Sequence, residues 1–206
     1  MPGGKPSIYT RGDGTPFENL RRRGLRSRRS FEITLNTAVA IRPFVPDDAL
    51  RVRELFIRVN RLLSPPEMRG AFDAYIERAL CEEIDRIKAY YQEHDGGFWV
   101  AAQGDNLLGT FGLELASAHS MELRRMYVDP AARRLGIARQ MLGFAEEECR
   151  RRGIFNLELS TSELQTAALA LYQSAGYRLV REETAQSGSN KTVGSGIRRF
   201  YFTKAL

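Results

Sequence analysis

Residues 122–139 read Glu-Leu-Arg-Arg-Met-Tyr-Val-Asp-Pro-Ala-Ala-Arg-Arg-Leu-Gly-Ile-Ala-Arg, and no other stretch restricts the fold as tightly. A strand-like run ends at Asp129-Pro130. A short loop carries Arg133 and Arg134, and Gly136 opens a long amphipathic helix. Strand, tight basic loop and helix N-terminus together make an anion site. Unpaired backbone N–H groups and the positive end of the helix dipole there point the same way. Gly136 has no side chain, so the backbone can approach phosphate oxygens closely. The N–H groups of Leu135, Gly136, Ile137, Ala138 and Arg139 can donate to the anion, and Arg133 or Arg134 adds charge and directional donors. The hexapeptide 133–138 fits the pattern Gln/Arg-x-x-Gly-x-Gly/Ala and suits a pyrophosphate. It is neither a Walker loop, which needs Gly-Lys-Ser/Thr, nor a dinucleotide fingerprint, which needs three glycines.

The rest of the chain supplies the frame. Ala38–Val45 reads as a strand. Pro46-Asp47-Asp48 starts a helix that runs to about Leu63, where Ser64-Pro65-Pro66 breaks it. The spacing of Phe72, Tyr75, Ile76, Leu80, Ile84, Ile87 and Tyr91 predicts one long helix over Glu67–Gln92 with a single apolar stripe. Phe98–Gln103 and Asn106–Leu115 read as a hairpin about Gly104-Asp105. Met121–Val128 is the next strand. Leu135, Ala138, Met141, Leu142, Ala145 and Cys149 mark the apolar face of the helix after it. Ile154–Leu159 is another strand, and Ser160-Thr161-Ser162-Glu163 can form a capping box for a helix reaching Ala175. Tyr177–Glu182 and Ile197–Thr203 are the last strands, joined by the loop Gln186–Gly196. The order β-α-α-β-β-β-α-β-α-β-β contains one βαβ unit. Strands 122–128 and 154–159 are therefore expected to be parallel inside an otherwise mixed sheet.

Charge separates the tail from the body. The chain of 206 residues carries a net charge of +6. Residues 1–30 hold eight basic and two acidic side chains, and the remainder balances at 23 of each. This segment, rich in Gly, Pro and Arg, reads as a solvated, disordered extension. Binding of RNA, DNA or an acidic membrane through it is the alternative, disfavoured because no aromatic residues interleave the arginines. No apolar run approaches the ~18 residues of a membrane span, and no signal peptide is visible. The plain account of Cys81 and Cys149 is two buried thiols in a reducing cytoplasm. A metal site would need more partners than these.

One further segment carries a resemblance. Gln165-Thr-Ala-Ala168-Leu-Ala-Leu171-Tyr172-Gln-Ser-Ala-Gly176-Tyr177 resembles the Asn-x-x-Ala-x-x-Leu-Tyr-x-x-x-Gly-Phe/Tyr segment of GNAT-family N-acetyltransferases. The basic loop stands at that family's usual separation from it, and the element order is similar to the GNAT fold from about Val39 to Leu206. The domain is accordingly expected over residues 31–206. The resemblance implies a mixed, mostly antiparallel sheet of about seven strands with helices on both faces and a splayed parallel pair. It implies acetyl-CoA as co-substrate, with no metal, and an amine-bearing acceptor; dimers are frequent in the family. It places the pantetheine arm along the main chain of Met126, Tyr127 and Val128, and the pyrophosphate on residues 133–139. Tyr172 matches the family tyrosine that protonates or hydrogen-bonds the departing sulfur. Gln165 replaces the Asn that contacts the cofactor.

The chemistry asks for an amine that loses its proton, donors for an oxyanion, and a proton for the thiolate. Glu122 lies four residues before Met126, where histone-acetylating and some other members place a catalytic glutamate. It is the candidate base, acting through an ordered water. Its competing reading is a strand-end carboxylate paired with an arginine. Glu158 and His119 are weaker candidates, and His94 reads as surface loop. Residues 123–126 with 159–162 faintly resemble the camello-like branch of the family. That branch carries membrane helices not seen in this sequence, so no substrate carries over. Two other readings stay open: a CoA-binding module without turnover, and a protein- or ribosome-directed enzyme tethered by its tail.

Overall fold

The computed structural model describes residues 38–206. The expectations of a disordered tail over residues 1–30 and of order from Phe31 lie outside the described residues. The chain forms β1 (Ala40–Pro43), α1 (Ala49–Leu63), α2 (Arg69–Glu82) and α3 (Ile87–Glu93). It continues as β2 (Gly97–Gln103), β3 (Asn106–Ser117), β4 (Ser120–Val128), α4 (Ile137–Arg151) and β5 (Asn156–Ser162). α5 (Thr166–Ser174), β6 (Arg178–Ala185) and β7 (Ile197–Ala205) complete it. The strands make one seven-stranded sheet in the order β1-β2-β3-β4-β5-β7-β6. Among the described strands only β4 and β5 run parallel, with α4 as the crossover that such a pair requires.

Alternation along the strands builds two cores. Phe111, Leu113, Met121, Leu123, Leu157 and Leu159 point to the side of α4 and α5. Val100 and Phe98 point to the other side, against Val52, Phe56, Tyr75 and Ile76 of α1 and α2. Gly112 of β3 faces that second side, where a Cβ would fall 2.2 Å from Tyr91 Oη. The glycine is thus what lets α3 lie against the sheet.

Four expectations need correction. The helix predicted over Glu67–Gln92 is broken: α2 ends at Glu82, a turn covers Ile84–Arg86, and α3 follows. All seven stripe residues are nonetheless buried. The break falls at Glu83 (φ −138°, ψ −58°), whose carboxylate turns inward to buried arginines rather than outward along a continuous helix. The proposed capping box at 160–163 does not form. Ser160, Thr161 and Ser162 are drawn into β5 by pairing with Tyr201, Phe200 and Arg199 of β7. Gln165 then closes the corner, its Oε1 accepting from Thr161 Oγ1 at 3.0 Å and Ser162 N at 3.3 Å. Leu135 is not on the apolar face of α4: it precedes the helix and is 66% exposed, while Ile137 is buried in its place. Cys81 is exposed, because Phe72, Tyr75, Ile76, Ala79 and Leu80 set the buried face of α2 and leave residue 81 outside it. Cys149 is buried as expected.

Candidate active site

The parallel pairing of β4 with β5 is short. Ser120–Leu123 lie opposite Asn156–Leu159, and there the ladder stops. The cause is in the pairing of β4 with its other neighbour. Thr110 faces Tyr127 and Gly112 faces Arg124, so Arg125 and Met126 together oppose Phe111. This two-for-one bulge bends β4 away, while β5 goes on pairing with β7 to Ser162. A gap opens whose walls include Met126, Tyr127, Ser160, Gln165 and Tyr172. The main-chain groups of β4 that face β5 beyond Leu123 have no strand partner.

The bulge carries strain, with Arg125 at φ 50°. A non-glycine residue there costs about 1–3 kcal/mol and persists only when its surroundings hold it. They do so here. Thr110 Oγ1 donates to the Arg125 carbonyl at 3.0 Å. The Arg125 guanidinium donates to Tyr75 Oη at 2.6 Å, Glu83 at 2.6 Å and the Asn190 carbonyl at 2.7 Å. Arg124 bonds the same Glu83 oxygen at 2.6 Å and Glu114 at 3.0 Å. Tyr91 donates to Glu83 at 2.7 Å, and Tyr90 to Glu114 at 2.9 Å. Glu83 is 0% exposed. Burial pushes its pKa up, but the Arg125 and Arg124 charges and the bonds from Arg125 and Tyr91 outweigh that and hold it below its ordinary value. Glu114 is likewise held low: desolvation opposes, while Arg124, Lys191 and Tyr90 prevail.

Beyond β4, Asp129 Oδ1 accepts from Ala131 N at 2.9 Å and starts the turn Pro130–Ala132. Arg134 (φ 64°) and Gly136 (φ 77°) then take left-handed conformations. Gly136 is the residue before α4, and its carbonyl accepts from Gln140 N at 3.0 Å. The N–H groups of Gly136, Ile137, Ala138 and Arg139 find no acceptor among the described residues. Arg133, Arg134 and Leu135 are exposed beside them. The Arg139 side chain reaches α5, where it donates to Ser174 Oγ at 3.1 Å. These amides stand as donors without acceptors at the positive end of α4.

Tyr172 stands on α5, buried against Tyr177 and Phe202. Its hydroxyl faces the gap, with Met126 Sδ 3.9 Å away. Burial alone pushes its pKa well above the ordinary tyrosine value, so the hydroxyl keeps its proton at neutral pH. Gln165 also lines the gap, but its carbonyl oxygen is engaged by Thr161 and Ser162. Val128 ends β4 beside the loop, and the Tyr127 ring leaves the gap to pack edge-on against Phe56 at 5.8 Å.

Glu122 lies on the same wall, but its partner is not an arginine. Lys191, from the loop between β6 and β7, donates to Glu122 at 2.5 Å and to Glu114 at 2.7 Å. Glu158 sits directly across on β5, exposed, on a neighbouring opening. His119 is exposed in the turn before β4, and His94 ends α3 with Nδ1 2.7 Å from the Tyr90 carbonyl; neither lines the gap. Sequence reasoning missed Glu83, Tyr75, Lys191 and Arg199. One signal was available. Two adjacent arginines inside a buried strand, Arg124 and Arg125, demand carboxylate partners from elsewhere in the chain. Among the described residues, no cluster of three or more His, Cys, Asp or Glu is placed to hold a metal ion, and no helix is long and apolar enough to cross a membrane.

Comparisons with known proteins bear on the family and the fold. The family model described as Acetyltransferase (GNAT) family matches residues 61–177. N-acetyltransferase 8 of Homo sapiens is 30% identical over 110 residues, which cover 50% of this chain and 48% of that protein. The chain spans about half the length of the curated relatives it matches. A GNAT-family acetyltransferase of Staphylococcus aureus Mu50 superposes with a TM-score of 0.63 at 18% identity, over 82% of this chain and 99% of that one. Another from Elizabethkingia anophelis, solved with acetyl-CoA bound, superposes with a TM-score of 0.54 at 15% identity, over 82% and 98%. With its family model matched over more than half its length and its splayed β4–β5 pair in place, the chain belongs to the GNAT acetyltransferase family.

Proposed function

We propose that this protein is an acetyl-CoA-dependent N-acetyltransferase acting on a primary amine. The observation that carries the reading is a convergence. The open edge of β4 and the protonated Tyr172 line one gap, β4 runs on into the loop that opens α4 with free amides, and Arg139 of that turn reaches Ser174 on the helix that carries Tyr172. Acetyl-CoA, when bound, supplies the acyl group and the thiol that leaves. The N–H groups of Gly136 to Arg139 hold the pyrophosphate, and Arg133 and Arg134 add charge. The main chain of Met126 and Val128 takes the pantetheine arm as a strand takes a neighbour. An amide at the Met126 bulge donates to the carbonyl oxygen as negative charge develops there. Tyr172 Oη gives its proton to the departing sulfur.

The acceptor enters as an ammonium and must lose a proton, since its pKa is ~8 for an α-amine and ~10.4 for a lysine. Glu122 orders the water that removes it. An ammonium is what Glu122 already holds, in the form of the Lys191 Nζ, so the carboxylate suits a cationic acceptor. That same pair favours a second reading, in which Lys191 blocks the position and the protein binds CoA without turnover. Release of CoA thiol with a panel of primary amines and peptides separates the two. Amine-dependent release supports the enzyme. Tight CoA binding with no release for any amine supports the module.

A further inference from the structure

Three arginines are buried among the described residues: Arg124, Arg125 and Arg199. Two of them face carboxylates. Arg199 does not. It sits on β7 at 6% exposure, and no Asp or Glu among the described residues pairs with it. Its guanidinium donates to the Lys191 carbonyl and to Ser160 Oγ, lies 5.5 Å from the Tyr201 ring centroid, and leaves Nε without a partner. A buried cation without a counter-charge is costly to keep, and the cost is recovered when an anion arrives.

The position of Arg199 says which anion. It lines the β4–β5 gap, and also the neighbouring opening that holds Glu158 and Tyr201. Glu122, Ser160 and Lys191 line both as well. The neighbouring opening holds neither Met126 nor Tyr172, so Arg199 stands on the acceptor side. Lys191 bridges the two ends, its carbonyl on Arg199 and its ammonium on Glu122. One wall therefore offers an ammonium holder and an unmatched guanidinium.

We propose that the acceptor is an amino acid or a close relative of one, its carboxylate taken by Arg199 beside Ser160 Oγ and its ammonium by Glu122. The inference rests on the acetyltransferase reading above and names the class of acceptor. A planar guanidinium matches a carboxylate in two parallel bonds, which a lysine or a hydroxyl cannot do. In the transfer, the N–C bond forms as the C–S bond breaks. One ammonium proton leaves through water at Glu122, another is lost as the amide forms, and Tyr172 protonates the sulfur and is itself reprotonated from solvent.

The test compares free amino acids of varied side chain with their carboxamides, which keep the amine and lose the negative charge. With wild-type protein, kcat/KM should favour the acids by about 10²-fold. Arg199→Gln should abolish that preference through KM and leave acetyl-CoA affinity unchanged; Arg199→Lys should retain part of it. Equal use of acids and carboxamides by the wild-type protein would overturn the proposal, without any variant having to fold. So would an Arg199→Gln protein that keeps the preference, or one that loses acetyl-CoA binding instead. If no amine is acetylated, the acetyltransferase reading fails first. Calorimetric titration of the same acids and carboxamides into the protein with CoA then decides this proposal: binding of acids alone supports it, and binding of neither or of both refutes it.

Discussion

At the β4–β5 gap and in the loop beyond β4 the chain offers main-chain groups: the unpaired edge of β4, and the free amides of Gly136 to Arg139. Across the gap it offers side chains: Glu122, Lys191 and Arg199, tied through Glu114 and Glu83 behind them to Arg124 and Arg125. The first wall would tolerate many side chains, because in the proposed function backbone geometry does the binding. The second depends on side-chain identity, because Glu83, Glu114, Arg124 and Arg125 are buried against one another and Arg199 is buried without a carboxylate. On the proposed function, constant chemistry falls to the backbone and acceptor choice to the side chains. The Arg125 bulge joins the two, since a side-chain network holds the backbone that opens the gap.

Replacing Glu83 is the sharpest way to break that link. Glu83→Gln leaves Arg125 without a carboxylate, and the cost should be about 3–5 kcal/mol in urea unfolding. A loss below about 1 kcal/mol would mean that the network does not hold the bulge. The pH dependence follows from the same groups. Glu83 and Glu114 have folded pKa values below the ordinary 4.5. Their contribution is fully present above the unfolded value of ~4.3 and is lost as pH falls through the lower folded values. Stability should therefore be level above about pH 5 and fall steeply below about pH 4, with a flatter fall in Glu83→Gln.

The remaining substitutions separate the walls. Tyr172→Phe should lower kcat by about 10²-fold with acetyl-CoA affinity unchanged; wild-type turnover would remove its role as acid. Gly136→Asp places a Cβ at positive φ and a negative charge in the cradle, together about 2 kcal/mol or about 30-fold in acetyl-CoA affinity. Unchanged affinity by calorimetry would contradict the cradle. Glu122→Gln should have the smallest effect, about tenfold at low pH, shrinking as pH nears the pKa of the acceptor amine. A constant ratio across pH would discard the base assignment.

The same division explains what the sequence made legible. The loop that opens α4 and the helix that carries Tyr172 were readable because each is contiguous and its spacing is imposed locally. The order of strands and helices followed from periodicity for the same reason. In the side-chain wall only Glu122 was singled out from the sequence, and its partners were not readable. Arg124 meets a partner 41 residues away, Arg125 one 42 away, and Lys191 reaches back 69 and 77 residues to Glu122 and Glu114. The break at Glu83 has this origin too: nothing local ends the helix there, and only the arginines across the core turn the carboxylate inward. Likewise, Ser160 to Ser162 carry a plausible cap signal that strand pairing with β7 overrides.

The account depends above all on main-chain amides gripping a diphosphate at the start of α4. Amide-resolved NMR during a CoA titration tests this directly. The Gly136 to Arg139 resonances and those of Met126 to Val128 should move most, and move together with one saturation curve. Perturbations confined to other residues, with these amides unmoved at saturation, would contradict it.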